Sequence, residues 1–301
     1  MAGTLTITQA ACHIPELWSS STRDAVEANI VIGALVESED YGLKELVGGP
    51  GDTLNIPYIS NPTANTKTAN TNVTLEVIGP SNAEASQSFT VATHQHVAFA
   101  AENITEVQSK TDLIEKYTGK AGYALAAAAE TNLHTLPQSF SQTQGTLGLE
   151  PTYDHWLAAS QALDDANCPE GDRFIAVRPG TYYSMLKIDR FTNADYVGPA
   201  AAGSAVREAH VGKILNANIY KSTLVRAPAA GQADNWFSHK KGVYYCSQEL
   251  KTRPPIYSVH QDAEVVLATH IYGYAEALQP PVTAGGGAAT DVFNVVVYGT
   301  S

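Results

Sequence analysis

An α+β fold is what this sequence predicts, and three features carry the prediction. They are a long, weakly hydrophobic hairpin from Gly51 to Ala100, one unusually long alanine-rich helix after it, and a strand beginning near Val259 that is far longer than average. The hairpin opens with Gly51-Asp52-Thr53-Leu54-Asn55-Ile56-Pro57 and then runs through a stretch dominated by Thr, Asn, Ser and Ala before Ser88 to Ala100 alternates like a strand. An isolated two-stranded hairpin is marginal in water, and this one cannot bury enough apolar surface to fold alone. It needs a surface to lie on, and a neighbouring copy of the same chain is one such surface.

Taken in order, Pro15 to Val36 reads as an amphipathic helix, because Trp18, Val26, Ile30 and Ala34 follow helical spacing with Arg23, Asp24 and Glu27 on the other side. Gly42 to Gly51 breaks it. Asp52 to Ile59 forms a strand, Asn61-Pro62 begins the polar excursion, and Val73 to Ile78 adds a short strand closed by Gly79-Pro80. In the returning arm Phe89, Val91, Val97 and Phe99 share one face while His94 and His96 occupy the opposite one. A helix starts near Thr111, where Asp112 and Glu115 favour the positive end of its dipole, and continues to about His134 before Pro137 stops it. At about 1.5 Å per residue it spans roughly 35 Å. Leu113, Tyr117, Ala121, Ala124, Leu125 and Ala128 fall on one face, and the run Ala126 to Ala129 lets another backbone or sheet approach closely. Gln138 to Gly148 is a polar linker and a domain boundary.

Beyond the linker, Thr152 to Ala166 has helical spacing in Tyr153, Trp156, Leu157, Ser160 and Leu163, and Cys168 to Asp172 is a turn. Arg173 to Val177 follows as a short buried strand, then a helix near Thr181 to Leu186, a Gly and Ala-rich loop at Gly198 to Gly203, and a strand near Ile219 to Val225. From Val259 the residues Ala263, Val265, Leu267 and Ile271 alternate with polar partners. Asp291 to Tyr298 supplies another strand across the Gly285-Gly286-Gly287 turn.

Composition narrows the function. With 44% hydrophobic residues among 301 the chain can build a substantial core. Lys and Arg total 18 against 30 Asp and Glu, a net charge of −12, so it lacks the electrostatic footprint of a protein that grips nucleic-acid phosphates. No basic segment followed by an apolar run opens the sequence and no long apolar stretch occurs, so the expectation is a soluble chain made in a cytoplasm, without signal peptide or membrane span. Cys12, Cys168 and Cys246 are an odd number with no CxxC pair, which fits buried or partly buried free thiols.

Chemistry-bearing motifs are sparse. His94 and His96 place two imidazoles on one strand face, but a zinc site needs further placed ligands, and a polar strand face is the better reading. Asp164-Asp165 and Glu37-x-Glu39-Asp40 sit at a helix end and in an acidic connector, where solvation accounts for them. Gly285 to Gly287 has no following Lys-Ser/Thr and is no phosphate loop; Gly-x-Ser-x-Gly is absent, and Cys168 reads as packing. Trp236-Phe237 and Tyr244-Tyr245 read as core or interface anchors, with a ligand-stacking surface as the alternative. The sequence therefore predicts neither an enzyme nor a metal or cofactor site.

The serial order of these pieces resembles the major capsid proteins of tailed bacteriophages, the Hong Kong 97-type fold, over nearly the whole chain. Ile14-Pro15-Glu16-Leu17-Trp18 opens an arm, Gly51 to Pro57 enters the extended loop, and Ala124 to Leu133 lies on the spine helix. Asp172-Arg173-Phe174-Ile175-Ala176-Val177-Arg178-Pro179 is similar to the start of the axial domain, Val211-Gly212-Lys213-Ile214 to its next segment, and Ile271-Tyr272-Gly273-Tyr274 to the return strand.

The resemblance implies an N-terminal arm (1–50), an extended loop with its flanking strands (51–101), a peripheral domain with the spine helix and long strands (102–148 and 255–301) and an axial α/β domain (149–254). It also implies hexamers and pentamers closing into an icosahedral head around double-stranded DNA, which the acidic wall does not hold. Implied partners are other copies of the chain, a separate scaffolding protein, a portal and, as a further candidate, a decoration protein. The expected inter-subunit contacts are Trp18, Ile56, Tyr58, Lys67 and Phe89, Lys67 being the one lysine within the loop. A phage decoration or tail protein is the runner-up; a β-rich surface adhesin fits less well, because it should bring a signal peptide.

Overall fold

The computed structural model describes residues 32–36, 53–58, 64–73, 75, 85–102, 113–192, 212–259, 263–278 and 291–301. Several expectations lie outside them: most of the helix from Pro15 to Val36, Trp18, Cys12, the acidic connector at Glu37 to Asp40, most of the strand from Val73 to Ile78, the Gly198 to Gly203 loop and the Gly285 to Gly287 turn. The described residues fall into two compact units. One draws on Met1–Asp52, Thr90–Leu133 and Tyr245–Tyr274, the other on Thr53–Phe89, His134–Tyr244 and Ala275–Ser301.

The first unit is a helix on a sheet. A short helix α1 (Ile32–Leu35) precedes strand β3 (Thr93–Glu102), the spine helix α2 (Leu113–Leu133), and most of strands β9 (Val243–Ser258) and β10 (Ala263–Glu276). The sheet order is β3-β10-β9, with β10 antiparallel to β3 and Ala268 opposite Val97. The spine helix has 21 residues. Ala121, Leu125, Ala126, Ala129 and Leu133 are its buried apolar stripe, and Leu125 and Ala126 meet Ala268 on β10, flanked by Val97 and Leu250. That stripe is rotated from the predicted face, for Tyr117 is 54% exposed and Ala124 is exposed too. The reason is size: the small side chain of Ala126 lets the sheet come close at Ala268, while Tyr117 stays half exposed at the edge with its ring 5.6 Å from Phe99 of β3.

The second unit carries a six-stranded mixed sheet in the order β4-β11-β8-β5-β7-β6. Its strands are β4 (Thr143–Gln144), β5 (Arg173–Val177), β6 (Lys213–Ile214), β7 (Ala217–Lys221), β8 (Ala233–His239) and β11 (Asn294–Gly299). β5 runs parallel to β7 and antiparallel to β8, and β11 runs antiparallel to β8. Helices α3 (Tyr153–Asp165) and α4 (Pro179–Met185) cover one face, where Trp156, Ala159 and Leu163 pack with Ile175, Val177, Phe237, Val295 and Val297. On the opposite face Trp236 meets His134 and Phe140 edge-on, with ring centroids 5.3 and 5.7 Å away. A sheet covered on both faces explains why β5 and β8 are buried at every residue.

Local chemistry sets the boundaries. Helix α3 ends in a Schellman arrangement: Asn167 takes a left-handed φ of 60°, its amide bonds Asp164, and the Cys168 amide bonds Leu163. Asp164 does more than face solvent. Its carboxylate lies 2.7 Å from the buried Arg173 guanidinium, which also donates to the carbonyls of Cys168 and Pro169. At the C-terminal end Asn235 joins three segments, accepting from the Arg178 amide and donating to Thr181 and to the Val297 carbonyl. A Cβ on Gly299 would stand 2.5 Å from Thr181 Oγ1 and 2.7 Å from Asn235 Nδ2, so this crossing requires glycine.

Two expectations about strands change. The strand near Asp291 to Tyr298 does not pair with the long strand from Val259; as β11 it lies between β4 and β8, while β10 bonds β3 and β9. The last segment, Ala275–Ser301, falls in the same compact unit as His134–Tyr244. Strands β8 and β9 were absent from the sequence reading altogether. β8 reads Ala-Asp-Asn-Trp-Phe-Ser-His without alternation, and β9 carries Pro254-Pro255, which argues against a strand in isolation.

Candidate assembly surfaces

Strands β1 (Thr53–Tyr58) and β2 (Ala85–Thr90) form a two-stranded sheet, the stem of the predicted arm. Between them residues 64–73 and 75 are exposed throughout. The Thr71 amide closes a turn onto Thr68 across Asn70, whose φ of 65° suits asparagine better than most residues. Val73 and Leu75 are 66% and 88% exposed, two apolar side chains that lie largely open. Lys67 is exposed on the same segment.

The five expected contact residues divide. Lys67 is open to a neighbour; Ile56 and Phe89 are 3% and 0% exposed within the single chain. Phe89 meets Tyr244 edge-on at 6.1 Å, so its packing is internal. Their strand alternation marked them as apolar arm residues but could not say whose surface covers them. Tyr58 ends β1, its side chain lies outside the described residues, and so does Trp18.

Gln87 of the stem is hydrogen-bonded to the end of β10 and the residues after it. Gln87 Nε2 donates to the Glu276 carbonyl at 2.6 Å, and its Oε1 accepts from the Leu278 amide at 3.1 Å. Ser88 donates to Asn55 across the stem at 2.7 Å. Beside this tie Asp291 is buried, with its Oδ1 accepting from the Asn294 amide at 3.0 Å. Burial first, and then the hydrogen bond and charge of Glu276, hold the Asp291 carboxyl up at about 8. The sequence reading found neither Gln87 nor this carboxyl pair, because no spacing rule connects a strand end with the residue that opens a later segment.

Other candidates resolve as structure. His94 and His96 are exposed on β3, and among the described residues no three His, Cys, Asp or Glu side chains gather as a metal ion would require. Trp236, Phe237, Tyr244 and Tyr245 are all buried, which makes them core and not a stacking surface. Cys168 and Cys246 are buried free thiols; burial pushes the Cys168 thiol up to about 11, against the partial opposition of Arg173. His270 is also buried, 2.9 Å from Ser247 Oγ through Nε2, and burial holds it down at about 4. No described helix is long and apolar enough to cross a membrane.

An exposed polar arm on a paired stem, a spine helix on long antiparallel strands and a two-face-covered mixed sheet together define the Hong Kong 97-type capsid fold, and solved structures match it over most of the chain. A chain of Mycobacterium phage Che8 is 19% identical with a TM-score of 0.71, covering 89% of this chain and 90% of that one. The capsid structure of the cyanophage P-SCSP1u is 14% identical with a TM-score of 0.65, over 87% and 89% of the two chains. The virus-like particle from Pyrococcus furiosus is 10% identical with a TM-score of 0.57, over 95% and 99%. No protein-family model and no curated protein matches the sequence.

Proposed function

We propose that this chain is the major capsid protein of a tailed phage, a structural and non-catalytic component of the virion. In this reading it assembles through the host cytoplasm into hexamers and pentamers of an icosahedral head that encloses double-stranded DNA. The observation that carries the proposal is the exposed arm segment 64–73, with Val73 and Leu75 uncovered, on a fold shared nearly end to end with the cyanophage capsid structure. In this reading such a segment gains its burial from a neighbouring subunit, since it stands exposed on its own. The helix-on-sheet unit then serves as the peripheral domain and the six-stranded unit as the axial domain, residues 1–50 are the N-terminal arm, and Lys67 lies at the subunit contact together with Trp18 and Tyr58. A separate scaffolding protein, a portal and a decoration protein are the further partners.

Negative-stain microscopy of the purified protein tests this reading, with scaffold supplied where assembly needs it. Shells or capsomers are the expected result, and uniform monomers would sink it. Replacing the arm between the stem strands with a short Gly-Ser turn should leave a cooperatively melting subunit that forms no shells. The virus-like particle match supports a second reading, a shell that carries no genome. Nuclease-protected DNA inside native particles separates the two.

A further inference from the structure

Beneath the spine helix the three-stranded sheet carries a group of polar side chains on a face that is otherwise apolar or small. On β10 Ala268 meets the helix at Leu125 and Ala126, and Tyr272 Oη accepts from Asn132 of the helix at 2.7 Å, so His270, two residues from each, faces the helix as well. It is 1% exposed, and its ring lies 4.6 Å from that of Tyr272. From β9, Ser247 Oγ reaches His270 Nε2 at 2.9 Å. From β3, Gln95 stands directly opposite His270 in the register, and the next residues on its face, Val97 and Phe99, pack on the Leu125–Ala126 contact and against Tyr117 of the helix.

Two atoms of this group lack a partner among the described residues: His270 Nδ1 and Gln95 Oε1, both shut off from solvent. Directly opposed residues on one face of an antiparallel pair hold their Cβ atoms about 4.5–5.5 Å apart, which is within bonding reach for an imidazole and a glutamine amide. A neutral imidazole carries one proton, and the hydrogen bonds around it decide which nitrogen holds it. With the proton on Nε2, Nδ1 and Oε1 would be two acceptors side by side with no donor for either. With the proton on Nδ1 they become donor and acceptor, and the Ser247 hydroxyl donates to Nε2. Leaving buried polar atoms unpaired is costly, which selects the second arrangement. No neighbouring charge enters the choice, since burial alone holds the imidazole down, His94 and His96 stand exposed on the other face of β3, and burial keeps the Tyr245 and Tyr272 phenols protonated.

We infer that Ser247, His270 and Gln95 form a buried relay across β9, β10 and β3, the serine hydroxyl donating to Nε2 and Nδ1–H donating to Gln95 Oε1, and that this relay fixes the register of the sheet. The apolar pattern does not fix it alone. A slip of two residues between β3 and β10 leaves every side chain on its own face. It would set His270 opposite Val97 or Thr93 and Gln95 opposite Tyr272 or Ala268, so that both polar groups would be buried away from each other. A single buried polar position sets register in coiled coils by the same penalty.

The test uses the full-length chain isotopically labelled at the histidine ring nitrogens, whose NMR shifts at neutral pH report which nitrogen carries the proton; the signals missing from His270→Gln identify the residue. A protonated Nδ1 and a bare Nε2 are expected. A proton on Nε2 would overturn the proposal, because Nδ1 would then be an acceptor served by something other than Gln95. Gln95→Leu removes the acceptor and should shift the ring toward the Nε2–H form, whereas Ser247→Ala leaves Gln95 in place and should keep the proton on Nδ1. An unchanged tautomer in folded Gln95→Leu would also sink the relay. In the same variant amide exchange along β3 should quicken by about tenfold while the six-stranded sheet is unaffected, and unchanged exchange along β3 would refute the register role. If Gln95→Leu fails to fold, the tautomer of the native chain decides.

Discussion

Where the spine helix is buried on its three-stranded sheet, Leu125 and Ala126 meet Ala268, whereas at the middle of the six-stranded sheet Trp236 stands among His134, Phe140 and Phe174. The first contact works by close approach of small side chains over a long helix. The second works by filling the space between layers with large rings. Each arrangement fails under a different insult: the ring-filled layer under deletion, the alanine seam under insertion. The units also bury opposite kinds of titratable group. His270 in the first is held down at about 4 by burial, and the Asp291 carboxyl in the second is held up at about 8, burial again being the largest cause.

The largest effect should come from the ring-filled layer. Trp236→Ala removes a side chain with 0% exposure and should cost about 3–5 kcal/mol, read as a lowered denaturant midpoint. A smaller loss there than from overfilling the helix seam would break the contrast. At the seam, Ala126→Leu puts a large side chain where an alanine with 0% exposure meets Ala268 and should cost about 1–3 kcal/mol. Hydrogen exchange should place that loss first in the spine helix, and a loss confined to the six-stranded sheet would contradict the assignment.

The titration contrast is sharper but smaller. The folded His270 titrates near 4 and an unfolded histidine near 6.5, so the unfolded chain binds more protons in between and the first unit loses stability as pH falls through that window. Amide exchange along residues 268–272 should therefore speed up from about pH 6.5 to about pH 4.5 beyond its intrinsic change, and His270→Gln should flatten that dependence. An unchanged profile in the variant would assign the acid sensitivity elsewhere. Least of all should Lys67→Ala matter to the subunit: exposed on the arm, it should shift stability by less than about 0.5 kcal/mol in a melt of unassembled protein. A larger shift would mean that the arm segment packs on its own chain, against the assembly reading.

Elements whose signal is local were legible in the sequence. The alternation from Phe89 to Phe99 became β2 and β3 with His94 and His96 on the exposed side, the alanine-rich run became a helix from Leu113 to Leu133, and Arg173 to Val177 became a fully buried strand. These follow from side-chain periodicity and helix propensity, which neighbours along the chain determine. Tertiary structure alone decided which stripe of the spine helix meets the sheet, that Asn294–Gly299 inserts between β4 and β8, and that Ala233–His239 is a central strand despite its Asp, Asn, Ser and His. A polar residue such as Asn235 is tolerated at 0% exposure only because Arg178, Thr181 and Val297 bring it partners from three other segments. The same holds for Gln87, whose partners, the Glu276 carbonyl and the Leu278 amide, meet it only once β2 and the end of β10 have converged. Burial and partner choice depend on what the fold brings together, and periodicity along one chain carries no record of that.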